Sequence, residues 1–246
     1  MIELSTFSIV ARCERTGMLG VAVSTAVPAV GGLCPYIKAG VGAVSTQSWV
    51  NPYLAIEALR LMESGKTGPE ALDAVLARDE AKDLRQIGLV DARGRSTAWS
   101  GPGCTPWFGH VVEESFAVQG NMLVGEPTLV AMAETFRRSA TLDLAERLLT
   151  ALEAGQAAGG DKRGKQSAAL RVHHTEDYAY LDLRVDEHGH PVAELRRIFE
   201  IARHQLVPFV KGMPTRTEAK GALPEDVSAM LLTPPPYRPG GGGSAP

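Results

Sequence analysis

The 246-residue chain is poor in cysteine, has no long apolar run and carries no large excess of charge of either sign. Cysteine occurs only at Cys13, Cys34 and Cys104, an odd number, widely separated and never in a Cys-x-x-Cys spacing. That excludes a disulfide framework and fits a reducing compartment, where a free thiol serves as a small buried hydrophobe. With no stretch of about 18 apolar residues, no spanning helix and no membrane partner are expected. The start of the chain lacks a basic region followed by an apolar core, so no secretory signal is read and the expected location is cytoplasmic. A formal net charge of −3 with dispersed basic residues leaves no broad cationic surface for nucleic acid. Only Lys162, Arg163 and Lys165 cluster, and the Gly-x-x-x-x-Gly-Lys-Thr/Ser phosphate loop is missing. There is no internal repeat. What remains is an ordinary globular balance, 44% hydrophobic and 22% charged, on a chain long enough to bury a sizeable core.

Residues 6–12 and 18–24 are expected to form a hairpin, with Glu14 to Gly17 as its polar connection. Val27 to Gly32 is read as a loop, since proline and glycine do not continue a central strand. Residues 41–47 make a third strand, small and apolar enough to be covered on both faces. Asn51 as N-cap and Pro52 in the first turn open a helix, whose apolar residues Leu54, Ala58, Leu59, Leu61 and Met62 run to Gly65. A second helix over 69–77 follows. Residues 85–91 and 95–99 form another hairpin that turns at Gly94. Gly101 to Gly109 is read as a loop, and Phe116 to Gln119 as a strand that Gly120 and Asn121 end. Helices over 127–138 and 142–154 give a second helical layer. Strands over 167–172 and 180–185 and a helix over 192–204 complete the pattern. Beyond residue 205, proline, glycine and short polar stretches are read as an arm and tail, the arm of a kind that grips a neighbouring subunit.

The ordered blocks Thr6 to Arg12, Gly20 to Val23, Ala39 to Val44, Thr46 to Pro52, Phe116 to Met122 and Gly159 to Ala169 resemble a bacterial family of unknown function. That family is grouped with the N-terminal-nucleophile (Ntn) hydrolases, and the resemblance covers residues 6 to 204. It implies an α/β (α+β) fold, a four-layer αββα sandwich of two mostly antiparallel sheets covered by helices. It also implies amide hydrolysis by a processed N-terminal Thr, Ser or Cys, with no cofactor. The family pattern has Met directly before this Thr, whereas here Met1 to Ser5 intervene. The division expected is therefore 1–5 as propeptide or extra start, 6–204 as the Ntn-like domain and 205–246 as arm and tail, in a homo-oligomer.

Thr6 has two readings, a buried strand residue and a nucleophile whose own α-amine is the general base. Ser8 shares its face of the strand and can hold that amine or hydroxyl, or can bond to backbone. Gln47 and Ser48, where a strand hands over to a helix, are candidate pocket contacts. Asn51 there is a cap, and Trp49 packs or walls the pocket. Asn121 and the adjacent Gly120 are the candidate oxyanion donors, although Gly-Asn is also an ordinary turn. Asp161 and Arg163, in a glycine-rich loop, are substrate-orienting candidates or solvated charges. His188 and His190 are read as an exposed turn, so no metal site is expected. The function expected is hydrolysis of a non-peptide or small-peptide amide bond, in a small polar or carboxylated substrate, through an acyl-enzyme on Thr6. The alternative is a non-catalytic protein that binds a small ligand on the same fold. A cell-wall role has neither an export signal nor a wall-binding module behind it.

Overall fold

The structure is a computed structural model that describes residues 3–4 and 6–233, the first two by their backbone alone. Two compact units are present, Met1–Arg196 and Arg197–Pro246.

In the first unit the strands are β1 (Glu3–Leu4), β2 (Thr6–Arg12), β3 (Leu19–Thr25), β4 (Pro35–Lys38), β5 (Gly42–Trp49), β6 (Arg85–Asp91), β7 (Ser96–Ser100), β8 (Gly109–Glu113), β9 (Phe116–Asn121), β10 (Ser167–His173) and β11 (Leu181–Val185). They form two sheets with every pairing antiparallel. One runs β1-β5-β6-β7 with β4 also on β5; the other runs β11-β10-β3-β2-β9-β8. The chain thus crosses from the first sheet to the second between β1 and β2.

Helices α1 (Pro52–Glu63) and α2 (Gly68–Leu76) cover the first sheet, burying Leu54, Ala58, Leu72 and Val75 against Val44, Ile87 and Leu89. α3 (Pro127–Arg138) and α4 (Leu144–Ala157) cover the second. There Gly155 of α4 lies so close to its neighbours that a Cβ would stand 2.7 Å from Met132 and 3.2 Å from Phe7. The sheets meet through Val10, Leu19, Val21, Ala43, Val90 and Ala117. The result is a sandwich of helix pair, sheet, sheet and helix pair. α5 (Pro191–Gln205) begins in this unit, where Arg196 pairs with Glu146 and Glu153 of α4, both at 2.8 Å.

Local chemistry sets the helix starts. The Asn51 side chain accepts from Tyr53 N at 3.1 Å, and Thr67 with Glu70 forms a reciprocal capping box before α2.

Several expectations need correcting. β4 and β8 were not anticipated, because Pro35 and Gly109 at their heads look like loop residues; both are tolerated at the first position of an edge strand. β9 does not stop at Gln119, since Gly120 and Asn121 pair with Phe7 and Thr6. The stretch after residue 205 is not simply an arm: α6 (Val207–Gly212) and α7 (Glu225–Leu232) lie there, α6 with Pro208 in its first turn where a missing N–H costs nothing. Residues 1, 2, 5 and 234–246, including the far tail, lie outside the described residues.

Candidate functional site

Between the sheets the inward-facing side chains change character along β2, β3, β9, β5 and β6. At one end stand Val10 with its cross-strand partners Val21 and Ala117, facing Ala43 and Val90 of the other sheet. Two residues on are Ser8, Val23 and Gln119, with Ser45 and Gly88 in the other sheet. Two further on the layer is wholly polar: Thr6, Thr25 and Asn121, with Gln47 and Gln86. All of these polar residues are 0% exposed. Burying polar groups costs free energy unless they are bonded, so the polar end is an expensive piece of core.

It is offset in part by a hydrogen-bond chain of one polarity, although Ser45 Oγ and Gln119 Oε1 find no hydrogen-bond partner among the described residues. Gln119 Nε2 donates to Ser8 Oγ at 2.6 Å, and Ser8 Oγ donates to Gln47 Oε1 at 2.6 Å. Gln47 Nε2 then donates to Gln86 Oε1 at 2.8 Å and to the carbonyl of Thr6 at 3.1 Å. Gln86 Nε2 donates to Ser100 Oγ at 2.7 Å and to the Gly120 carbonyl at 2.9 Å, and Ser100 Oγ lies 2.9 Å from His110 Nδ1 near the surface. With Gln86 already donating to it, the Ser100 hydroxyl is free to donate to a neutral His110. Gly88 makes room for the chain, since a Cβ there would stand 2.0 Å from Gln119 Oε1.

Thr6 stands at the head of β2, its Oγ1 donating to Thr25 Oγ1 at 3.3 Å and its neighbour on the other side being Asn121. Gly120 sits in the ladder between β2 and β8, and a Cβ there would meet Leu123 at 2.5 Å. Close packing therefore accounts for this glycine. Ser48 lies next to β1, across from Leu4, with a positive φ of 64° and a buried hydroxyl that has no hydrogen-bond partner among the described residues. Ser24 bonds instead to the Ser167 carbonyl.

Asp161 is tied to the same end of the second sheet. It bridges to Leu123, just past β9, and its Oδ2 accepts from Ala26 N, just past β3, at 3.1 Å. Burial pushes its carboxyl above the ordinary range, against the opposing pull of the Arg163 amide, the Arg163 side chain and Ala26 N. Arg163 is held to it at 3.3 Å and is one-third exposed, so its guanidinium reaches solvent. The structure therefore gathers Thr6, Ser8, Gln47, Gly120, Asn121 and Asp161 at one end, with Arg163 on its rim and Ser48 beside β1. Two surface cavities lie elsewhere. One of about 280 Å³ is lined by Lys66, Arg93 and Arg95 among others, near the Gly42 and Asp91 ends of β5 and β6; one of about 200 Å³ lies between Asn51, Tyr53 and Asp79. His188 and His190 form an exposed turn in which His190 N donates to His188 Nδ1 at 3.0 Å. Among the described residues no group of three or more His, Cys, Asp or Glu is placed to hold a metal ion.

Sequence reasoning passed over Thr25, Gln86, Ser100 and His110. The hairpin register does pair position 6 with 25, and a glutamine at the head of the apolar run Ile87 to Val90 was a usable signal.

A family model described as a family of unknown function, DUF1028, matches residues 6–195, from the first residue of β2 into α5. The chain belongs to the DUF1028 family. A DUF1028 protein known from its crystal structure, SPO2555 from Silicibacter pomeroyi, is similar in fold, with a TM-score of 0.82 and 29% identity over 90% of this chain and 96% of that one. Anbu (ancestral beta-subunit) from Yersinia bercovieri aligns at a TM-score of 0.38 and 13% identity, over 85% of this chain and 98% of that one. An Anbu (Gly-1) mutant from Hyphomicrobium sp. strain MC1 also gives 0.38, at 12% identity over 82% and 96%. Likenesses that loose carry no argument. No curated protein matches. Among the described residues no helix is long and apolar enough to cross a membrane.

Proposed function

We propose that this DUF1028 protein is an Ntn-type amidohydrolase, with the hydroxyl of Thr6 as nucleophile, acting on the amide bond of a small polar substrate. The observation that carries the reading is the polar end of the inter-sheet layer. Stability alone favours an apolar filling there, yet Thr6, Ser8, Gln47, Gln86, Gln119 and Asn121 are gathered and fully buried around the head of β2. That the family match begins at Thr6 supports the same residue.

In the full chain Thr6 is 0% exposed, so the reaction requires residues 1–5 to be removed. The freed α-amine, with an ordinary pKa near ~8, then takes the hydroxyl proton as Oγ1 attacks the substrate carbonyl carbon. Asn121 donates to the oxyanion, the C–N bond breaks with the proton passing to the leaving amine, and water hydrolyses the resulting ester. Gln47, through the Thr6 carbonyl, fixes the nucleophile's backbone; Arg163, oriented by Asp161, meets a carboxylate on the substrate. The mechanism calls for no cofactor. Buried free thiols at Cys13, Cys34 and Cys104 fit a cytoplasmic setting.

A second reading, a small-ligand-binding protein that retains Met1 to Ser5, is favoured by the complete burial of Thr6 in the unprocessed chain. Thr6→Ala separates the two. Under the hydrolase reading it abolishes turnover across a panel of small amides, by about 10³-fold or more, whereas surviving turnover would remove Thr6 from the chemistry.

A further inference from the structure

Two strands share the outer edge of β5 end to end. β4 takes Gly42 to Ser45, and β1 takes Ser48 and Trp49. β1 ends one residue short of β2, so it leaves with residues 1–5 when Thr6 becomes the terminus. Its departure strips the partner from the main chain of Ser48 and Trp49 on that side, and an unpaired strand edge is a template for another chain. Ser48 itself is held at a φ of 64°, a conformation that non-glycine residues retain at a cost, and its buried hydroxyl has no hydrogen-bond partner among the described residues. On the far side β5 is held firmly, Arg85 donating to the Trp49 carbonyl at 2.7 Å.

We propose that this edge is the acyl-side subsite of the processed protein, and that it takes an extended, peptide-like main chain paired antiparallel with Ser48 and Trp49. The inference rests on the Thr6 reading for its chemistry and names the substrate class that reading lacks. Paired strands lie about 5 Å apart and two residues of chain span at most about 7 Å. A chain lying where the backbone of Glu3 and Leu4 lies therefore brings its next carbonyl within reach of Thr6. A compact amide would reach Thr6 without using the edge.

The test is a titration followed by backbone amide resonances, with acetyl-Glu-Leu-Ser-amide as the probe and the chain beginning at Thr6 as the protein. The expected result is saturable binding that shifts the Ser48 and Trp49 resonances and protects the one of these two amides that faces the edge, with little binding to the full-length chain, whose edge is filled. Because alternate residues of a strand point their N–H groups to opposite sides, methylating one of the two main-chain nitrogens of Glu and Leu should weaken binding about tenfold, and methylating the other much less. Leu4→Pro in the full-length chain frees the edge without shortening the protein, and is expected to gain binding if the truncated chain does not fold. Shifts that miss Ser48 and Trp49, equal binding by both methylated probes, or equal binding by the full-length chain would each overturn the proposal. None of those outcomes touches the Thr6 hydrolase reading, which loss of turnover in Thr6→Ala tests separately. Edge binding together with turnover that survives Thr6→Ala would keep the subsite and remove Thr6 from the chemistry.

Discussion

Gln47 is the side chain on which the buried network turns, because it serves Ser8, Gln86 and the Thr6 carbonyl at once. Gln47→Glu removes the donor and sets carboxylate oxygens against three acceptors, the Gln86 amide oxygen and the Thr6 and Gln119 carbonyls. A buried carboxyl in that position has its pKa raised, so it is stabilised by protonation as pH falls. The variant should be at least about 3 kcal/mol less stable than the parent near pH 7, with the gap narrowing toward pH 5 in urea unfolding. No loss of stability at pH 7 would show that the amide donor is not needed, and a gap independent of pH would show that no buried carboxylate is its cause. His173 behaves in the opposite sense. Burial, helped by Arg171, lowers its pKa from the ordinary 6.5, against the pull of Asp182, Asp177 and the Glu176 backbone. The folded state then refuses a proton that the unfolded chain accepts. Stability should fall as pH drops below about 6.5, levelling off once the folded-state pKa is passed. His173→Phe should flatten this part of the stability curve relative to the parent; parallel curves would rule His173 out as the cause.

At the scale of elements, helix signals were legible because they are local. Asn51 and Pro52 announce α1 within two residues, and the cap is made as expected, with Asn51 also donating to Asp79 at 3.4 Å. Asn51→Ala should cost about 1 kcal/mol in thermal or urea unfolding, and a change below a few tenths would mean that Pro52 alone sets the start. Strands were legible where apolar runs are bounded by turns, as in β2, β3, β6 and β10. The edge strands β4 and β8 were not, because an edge needs few apolar residues and accepts proline or glycine at its head. The network escaped for a different reason. Gln47 and Gln86 meet only because β5 and β6 are in one register, and Ser8 meets Gln47 only because two sheets face each other, so no local pattern records the contact. Thr6, Ser8, Gln47 and Asn121 were named as members of one candidate site; the hydrogen bonds from Ser8 to Gln47 and from Gln47 to Gln86 were not foreseen.

The first unit as a whole shows why the site stands where it does. The layer between the sheets is apolar at one end and polar at the other, so one sandwich carries both its stabilising core and a buried polar cluster. The apolar end keeps the sheets in register, and that register places Thr25 and Asn121 on either side of Thr6. The chain's passage from β1 to β2 sets Thr6, the first residue of β2, in this polar cluster directly after the segment whose removal the proposed mechanism requires. Intact-mass analysis of amide-hydrolysing protein, with the N-terminal residue identified, tests this most directly. The account predicts a chain that lacks Met1 to Ser5 and begins with Thr6 in every active fraction. Undiminished activity in protein that keeps Met1 to Ser5 would contradict it.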